Sequence, residues 1–211
     1  YIKKNKAVLY VNVGDYKNVW DELIRDIPQM RELATEHFDN WKDTKAFATK
    51  ALSASQINNS DVVTDNNRDD NSKNITADNS SEDTSDNITG IHGFYHKNIF
   101  EAVYCTNLLM RSADVLVTKP SELAFYPVPK LFIKRVGGHE QWGAVHSAEI
   151  GDGTLECRDI PHTLQMIKLF MEDDTYIIDM CKNIKKNKQM GIYNGAYEAV
   201  KLAVNMKKSD I

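Results

Sequence analysis

Three polar residues that could hold a phosphorylated ribose compound follow a short apolar run near the middle of the chain. Lys119, Ser121 and Glu122 come after residues 113–118, whose apolar centre is typical of a strand buried in a parallel sheet. Ligands of open α/β sheets bind outside the carboxyl ends of the strands. An ammonium suits phosphate oxygens, a serine hydroxyl could cap a helix, and a carboxylate suits the hydroxyls of a ribose. The alternative is an ordinary turn from a strand into a helix.

A glycine pair and two polar residues follow the next predicted strand. Gly137 and Gly138 precede His139 and Glu140, just after a strand predicted over residues 130–134. Such a turn could bring backbone N–H groups close to a ligand, and His139 could act as an acid or base. Loop glycines more often only supply unusual backbone torsions, and a lone loop histidine is often an exposed bystander.

A third candidate position is Gly14, at the end of the first predicted strand. Residues 7–13 form an apolar run, and an amphipathic helical pattern over residues 19–27 follows. Gly14 could therefore lie close to a diphosphate. A single glycine in such a loop is equally compatible with a simple turn, because the chain lacks a G-x-G-x-x-G pattern here.

These turns must be positioned by an alternation of strands and helices. Strands are predicted over residues 7–13, 88–91, 113–118, 130–134 and 154–157. Helices are predicted over residues 19–27, 30–51, 98–111, 140–150, 161–171, 174–184 and 192–206. The alternation predicts an α/β fold, a Rossmann-like parallel sheet flanked by helices, with a helical C-terminal part.

One segment breaks this alternation. From residue 53 to residue 87 the chain is rich in Asn, Asp and Ser and almost free of apolar residues, so it cannot bury enough surface to offset the entropy of ordering. We therefore predict a disordered insertion. The predicted domain is one Rossmann-like unit made of residues 1–52 and 88–211, interrupted by residues 53–87.

Composition limits the function classes. A net charge of −4 over 211 residues gives no electrostatic argument for nucleic acid. Three widely spaced cysteines show no metal spacing, and they favour a reducing, cytoplasmic location. Glu149, Asp152 and Glu156 also lack a metal-binding spacing and are expected to be solvated. No metal, cofactor or membrane-spanning segment is predicted.

The order of motifs resembles the donor-binding domain of GT-B glycosyltransferases, nearest to the diacylglycerol glycosyltransferases (monogalactosyldiacylglycerol synthase) and the peptidoglycan N-acetylglucosaminyltransferase. In that group a Gly-Phe segment, an Ala-Asp helix end, a Val-Thr-Lys-Pro strand end, a Ser-Glu helix start, a strand and a Gly-Gln-Glu turn follow one another. The corresponding stretches here are Gly93-Phe94 and residues 110–114, 117–120, 121–124, 129–133 and 137–140.

The resemblance implies a UDP-sugar donor and assigns roles to individual residues. The backbone near Phe94 and Tyr95 would meet the base, Glu122 the ribose, and the turn from Gly138 to Glu140 the diphosphate or the sugar. It also implies that an N-terminal acceptor domain precedes Tyr1, and that the acceptor could be a lipid or lie at a membrane surface. The catalytic residues are not identified.

Two departures from that pattern leave alternatives open. The loop between Pro120 and Ser121 is shorter than in the group, and His139 stands where the group has glutamine. A nucleotide-sugar epimerase or hydrolase of the same fold, or a non-catalytic nucleotide-binding relative, is therefore the alternative to glycosyl transfer.

Overall fold

The structure is a computed structural model that describes residues 1–60 and 88–209, without the side chains of residues 56–60, 122 and 207–209. The chain divides into two compact units, Tyr1–Ser112 and Ala113–Ile211. We call them the first and the second unit and describe each by itself.

The first unit is built around a three-stranded parallel sheet. Its strands are β1 (Val8–Asn12), β2 (Ala34–Phe38) and β3 (Gly90–Tyr95), arranged in the order β1-β3-β2. The helices are α1 (Lys17–Asp26), α2 (Pro28–Leu33), α3 (Trp41–Ser60) and α4 (Ile99–Leu109). The sheet therefore confirms the predicted parallel α/β architecture.

Both faces of this sheet are covered by helices. The central strand β3 contributes side chains to both, because alternate residues of a strand point to opposite faces. Phe94 packs with Phe47 of α3 and Cys105 of α4. On the opposite face Ile91 packs with the fully buried Trp20 of α1. The central strand β3 is buried along its whole length. A polar side chain on this strand therefore needs a hydrogen-bond partner inside the protein.

The second unit has a shorter sheet and more helix. Strands β4 (Leu116–Thr118) and β5 (Lys130–Phe132) pair in parallel, and Gly153 forms a further parallel bridge with Lys130. The helices are α5 (Gln141–Ile150), α6 (Ile160–Glu172), α7 (Thr175–Gln189) and α8 (Gly195–Ser209). Short 3₁₀ helices cover Glu122–Phe125, Gly138–Glu140 and Ile192–Asn194.

The prediction of one helix over residues 30–51 is wrong. The segment contains the end of α2, the whole of β2 and the first half of α3. The parallel pairing of β2 with β3 outweighs the local helix preference of residues such as Ala34 and Glu36. Helix α3 also continues to Ser60, past the predicted start of the insertion. Residues 61–87 of the predicted insertion lie outside the described residues.

Two further predictions need correction in the second unit. The run at residues 113–118 forms only a three-residue strand, and Val117 is 49% exposed instead of buried. Residues 154–157 form no strand. These residues still run alongside β5, since the N–H groups of Thr154 and Cys157 donate to the carbonyls of Lys130 and Phe132.

A buried ion pair lies at the centre of the second unit. Lys130 Nζ lies 2.8 Å from Asp152 Oδ2, and both side chains are fully buried. Lys130 also donates to the carbonyls of Tyr126 and Val128, and Asp152 accepts bonds from Ser147 and Tyr193. Asp152 is therefore a structural anchor, and its predicted exposure to solvent is wrong. Burial lowers the pKa of Lys130, and the bond to Asp152 opposes that shift.

Candidate functional site

The candidate site lies in the second unit, where β4 and β5 end side by side. Lys119 directly follows β4, and the turn at residues 136–140 follows β5. Parallel pairing continues beyond the strands, because Ile133 N–H donates to the carbonyl of Thr118 at 2.9 Å. The two segments that sequence patterns selected therefore meet at one edge of the sheet.

Glu140 joins these two segments. Its Oε1 accepts a 2.5 Å bond from Lys119 Nζ, and its Oε2 accepts bonds from the N–H groups of Val136 (2.8 Å) and Gly137 (3.1 Å). The Glu140 side chain is 6% exposed, whereas that of Lys119 is 43% exposed. An ammonium and two backbone donors thus converge on one carboxylate, which is the donor set of an anion site.

The same contacts set the protonation of Glu140. The bond from Lys119, followed by the bonds from Gly137 and Val136, lowers the pKa of Glu140 to about 2. The ionised carboxylate is therefore the form that the folded unit prefers. At neutral pH the cluster holds one cation and one anion, and the Lys119 side chain is partly exposed to solvent.

This arrangement predicts a specific loss of stability in acid. Because the folded pKa of Glu140 is depressed, its contribution is present above pH ~4.5 and is lost as pH falls from there towards 2. Urea unfolding of the parent and of Glu140→Gln should therefore differ most near neutral pH and converge as pH falls from ~4.5 towards 2. The exposed Glu149→Gln is the control and should follow the parent at every pH. A parent–E140Q difference that stays constant with pH would contradict the assignment.

The remaining predicted residues of the second unit lie around this cluster. Ser121 precedes the 3₁₀ helix Glu122–Phe125, but its side chain makes no capping bond. The side chain of Glu122 lies outside the description. His139 is exposed, and its ring lies against Gly137, where an added Cβ would come within 2.6 Å of His139 Cε1. Gly138 has open space around the position of a Cβ.

Gly14, Phe94 and Tyr95 belong to the first unit. Gly14 has a φ of +63°, and its N–H donates to Asn12 Oδ1. Phe94 is fully buried, and Tyr95 packs on Phe38. Their carbonyls accept bonds from the N–H groups of Val13 and Asp39, respectively. The predicted contact of this backbone with a base remains a prediction.

Sequence patterns missed a buried polar chain in the first unit. His37 Nδ1 lies 2.7 Å from Asp43 Oδ2, His37 Nε2 lies 3.1 Å from His92 Nδ1, and His92 Nε2 lies 3.0 Å from the carbonyl of Thr89. The side chains of Asp43, His37 and His92 therefore form a continuous hydrogen-bonded chain that ends at a backbone carbonyl. Burial, with a smaller effect of the neighbouring His37, lowers the pKa of His92. Because residues 30–51 were predicted as one helix, His37 was not placed on a strand of the sheet.

His96 is a third buried histidine of this unit. It is fully buried at the end of β3 and its Nε2 lies 3.0 Å from Thr44 Oγ1. Its Nδ1 makes no hydrogen bond among the described residues and lies 3.6 Å from Glu101 Oε2. Burial lowers the pKa of His96. Thr44 is itself fully buried, so the pair does not present a nucleophile to a substrate.

Among the described residues, no group of three or more His, Cys, Asp or Glu side chains could hold a metal ion. Likewise, none of the helices in that part of the chain has the length and apolar character needed to cross a membrane.

Comparison with known families gives one match. A family model described as a domain of unknown function (DUF6938) matches residues 1–70 and residues 54–204. No curated protein and no solved structure matches the chain significantly.

Proposed function

We propose that this chain, which belongs to the DUF6938 family of domains of unknown function, is the donor-binding half of a GT-B type glycosyltransferase-like protein. Its ligand would be a nucleoside-diphosphate sugar, with a UDP-sugar favoured. The observation that supports the proposal best is the convergence of Lys119 and two backbone N–H groups on the Glu140 carboxylate. These three donors suit the charge and the geometry of a diphosphate oxygen.

The proposal assigns a role to each part of the turn. Lys119 would hold the diphosphate and stabilise the negative charge that develops on it as the glycosidic bond breaks. Glu140 would keep the Lys119 ammonium and the turn in place, and His139 would face the sugar. Glu122 would hold the ribose. In this proposal the reaction would use no metal or cofactor, and the protein would act in the cytoplasm.

Calorimetric titration with UDP, GDP, ADP and a set of UDP-sugars tests this proposal. We expect saturable binding that prefers one nucleoside diphosphate. Lys119→Ala removes a charge-assisted bond, so its Kd should rise by at least about tenfold. Lys168→Ala is the matched control, because Lys168 is an exposed lysine of α6 in a surface ion pair. Its affinity should equal that of the parent.

Three outcomes would contradict the proposal. The parent could fail to bind every nucleotide, Lys119→Ala could bind as well as the parent, or Lys168→Ala could weaken binding equally. Glu122→Ala gives an independent check, since it should weaken UDP and UDP-sugars alike if Glu122 holds the ribose. Circular dichroism of each variant separates a lost contact from a lost fold.

A non-catalytic nucleotide-binding role is the second candidate. It is favoured by Glu140, because an internal carboxylate already holds the donors that a diphosphate would use. Tight UDP binding without release of free sugar, epimer or transferred product would identify this role. Release of sugar or epimer without an acceptor would identify a hydrolase or an epimerase.

A further inference from the structure

Helix α8 of the second unit is exposed to solvent wherever the structure describes its side chains. All residues from Asn194 to Met206 are exposed. Four of its large apolar side chains are about half exposed or more: Tyr197 68%, Val200 65%, Leu202 62% and Val204 49%. A 15-residue helix with so much exposed surface is marginal in water, so burial of these side chains would stabilise it.

The apolar residues of α8 share one broad face. At 3.6 residues per turn they cover an arc of roughly 220° of the helix circumference. In order around the helix they are Leu202, Met206, Ala199, Ala203, Ala196, Val200, Val204 and Tyr197. The opposite arc holds Lys208, Lys201, Asn205, Glu198 and Ser209. Lys207 is the one polar residue placed within the apolar arc.

The surrounding segment is strongly basic. Residues 182–208 contain seven lysines and one acidic residue, Glu198, which gives this segment a net charge of +6 in a chain whose total is −4. Four of the lysines lie in α7, and all four are exposed: Lys182, Lys185, Lys186 and Lys188. The partner of this region is therefore expected to be negatively charged as well as apolar.

We infer that α8 lies in the interface of an anionic lipid bilayer, with its apolar arc against the acyl boundary and its lysines among the headgroups. A wide apolar arc on a helix of a lysine-rich segment is the pattern of helices that lie in the plane of a membrane. Anionic lipid headgroups also attract clusters of exposed lysines. A second copy of the chain fits less well, because it would bring two segments of charge +6 together.

Two substitutions in α8 form a matched pair for testing this inference. Val200→Asp and Asn205→Asp each add one carboxylate at an exposed position of the same helix, but on opposite arcs. Binding would be measured by co-sedimentation with vesicles of phosphatidylcholine alone and of phosphatidylcholine mixed with phosphatidylglycerol. The parent should bind the mixed vesicles and release them as salt is raised. Val200→Asp should bind at least about tenfold more weakly, and Asn205→Asp should bind at most a few-fold more weakly.

Several results would overturn the inference. Equal partition of the parent to neutral and mixed vesicles, or equal loss in the two variants, would show that the apolar arc and the lysines do not act together. Failure of the parent to sediment with either vesicle would reject a lipid partner outright. Sedimentation velocity supplies the rival outcome: a dimer of the parent that Val200→Asp dissociates would assign the face to a second copy. Circular dichroism confirms that both variants retain their helices, so loss of fold cannot imitate loss of binding.

Discussion

Asp152→Ala is expected to lower the free energy of unfolding by about 3–5 kcal/mol, because it leaves the buried Lys130 ammonium without its counter-ion. The two side chains are fully buried and 2.8 Å apart. Asp152 also accepts bonds from the hydroxyls of Ser147 and Tyr193, which would lose their partner. Urea unfolding followed by far-ultraviolet circular dichroism measures this loss.

A double substitution distinguishes an uncompensated charge from lost packing. Lys130→Met combined with Asp152→Ala removes both charges, so it should be more stable than Asp152→Ala alone. The control is Asp179→Ala, which breaks the exposed pair between Asp179 and Lys182 and should cost about 0–1 kcal/mol. A cost for Asp152→Ala no larger than that of the control would contradict the structural role of the pair.

The prediction made for Asp152 from sequence failed for a physical reason. A carboxylate between two glycines has the local pattern of a solvated loop, and Lys130 has that of an exposed strand residue. Their burial depends on each finding an opposite charge 22 positions away, together with carbonyls and hydroxyls from three other segments. Patterns of local hydrophobicity carry no information about such pairs.

The candidate site was partly predictable. The carboxyl ends of two parallel strands must meet, so Lys119 and the turn at residues 137–140 could be placed together from strand assignment alone. The bond between Lys119 and Glu140 could not be predicted, because the sequence gives no indication whether a glutamate faces a ligand or a lysine. The structure fixes this contact, and the role of the two residues towards a nucleotide remains a prediction.

Strand β2 shows the limit of local propensity. Its sequence, from Ala34 to Phe38, contains residues that favour a helix and continues an apparent helical pattern. Pairing with β3 decides the outcome instead. It places His37 next to Phe94 and His92 on one face of the sheet. The buried histidine chain was therefore invisible until the strand was assigned.

Gly93→Ala is the second substitution for which we expect a large loss of stability. Gly93 lies in the middle of β3 with Val11 and Glu36 as its neighbours in the adjacent strands. An added Cβ would lie 2.6 Å from Trp20 Cζ2, and it would be as close to two other ring atoms. Trp20 cannot retreat easily, because it is fully buried and its indole N–H donates to Glu36 Oε1 at 2.8 Å.

The expected cost of Gly93→Ala is about 3 kcal/mol, as for other insertions into a packed core. Gly138→Ala is the matched control and should leave stability unchanged, since nothing lies within 4 Å of its added Cβ. In a Trp20→Leu background the same Gly93→Ala change should cost much less, because the ring that it meets is gone. An equal cost of Gly93→Ala in both backgrounds would show that the glycine is needed for its backbone and not for the space it leaves to Trp20.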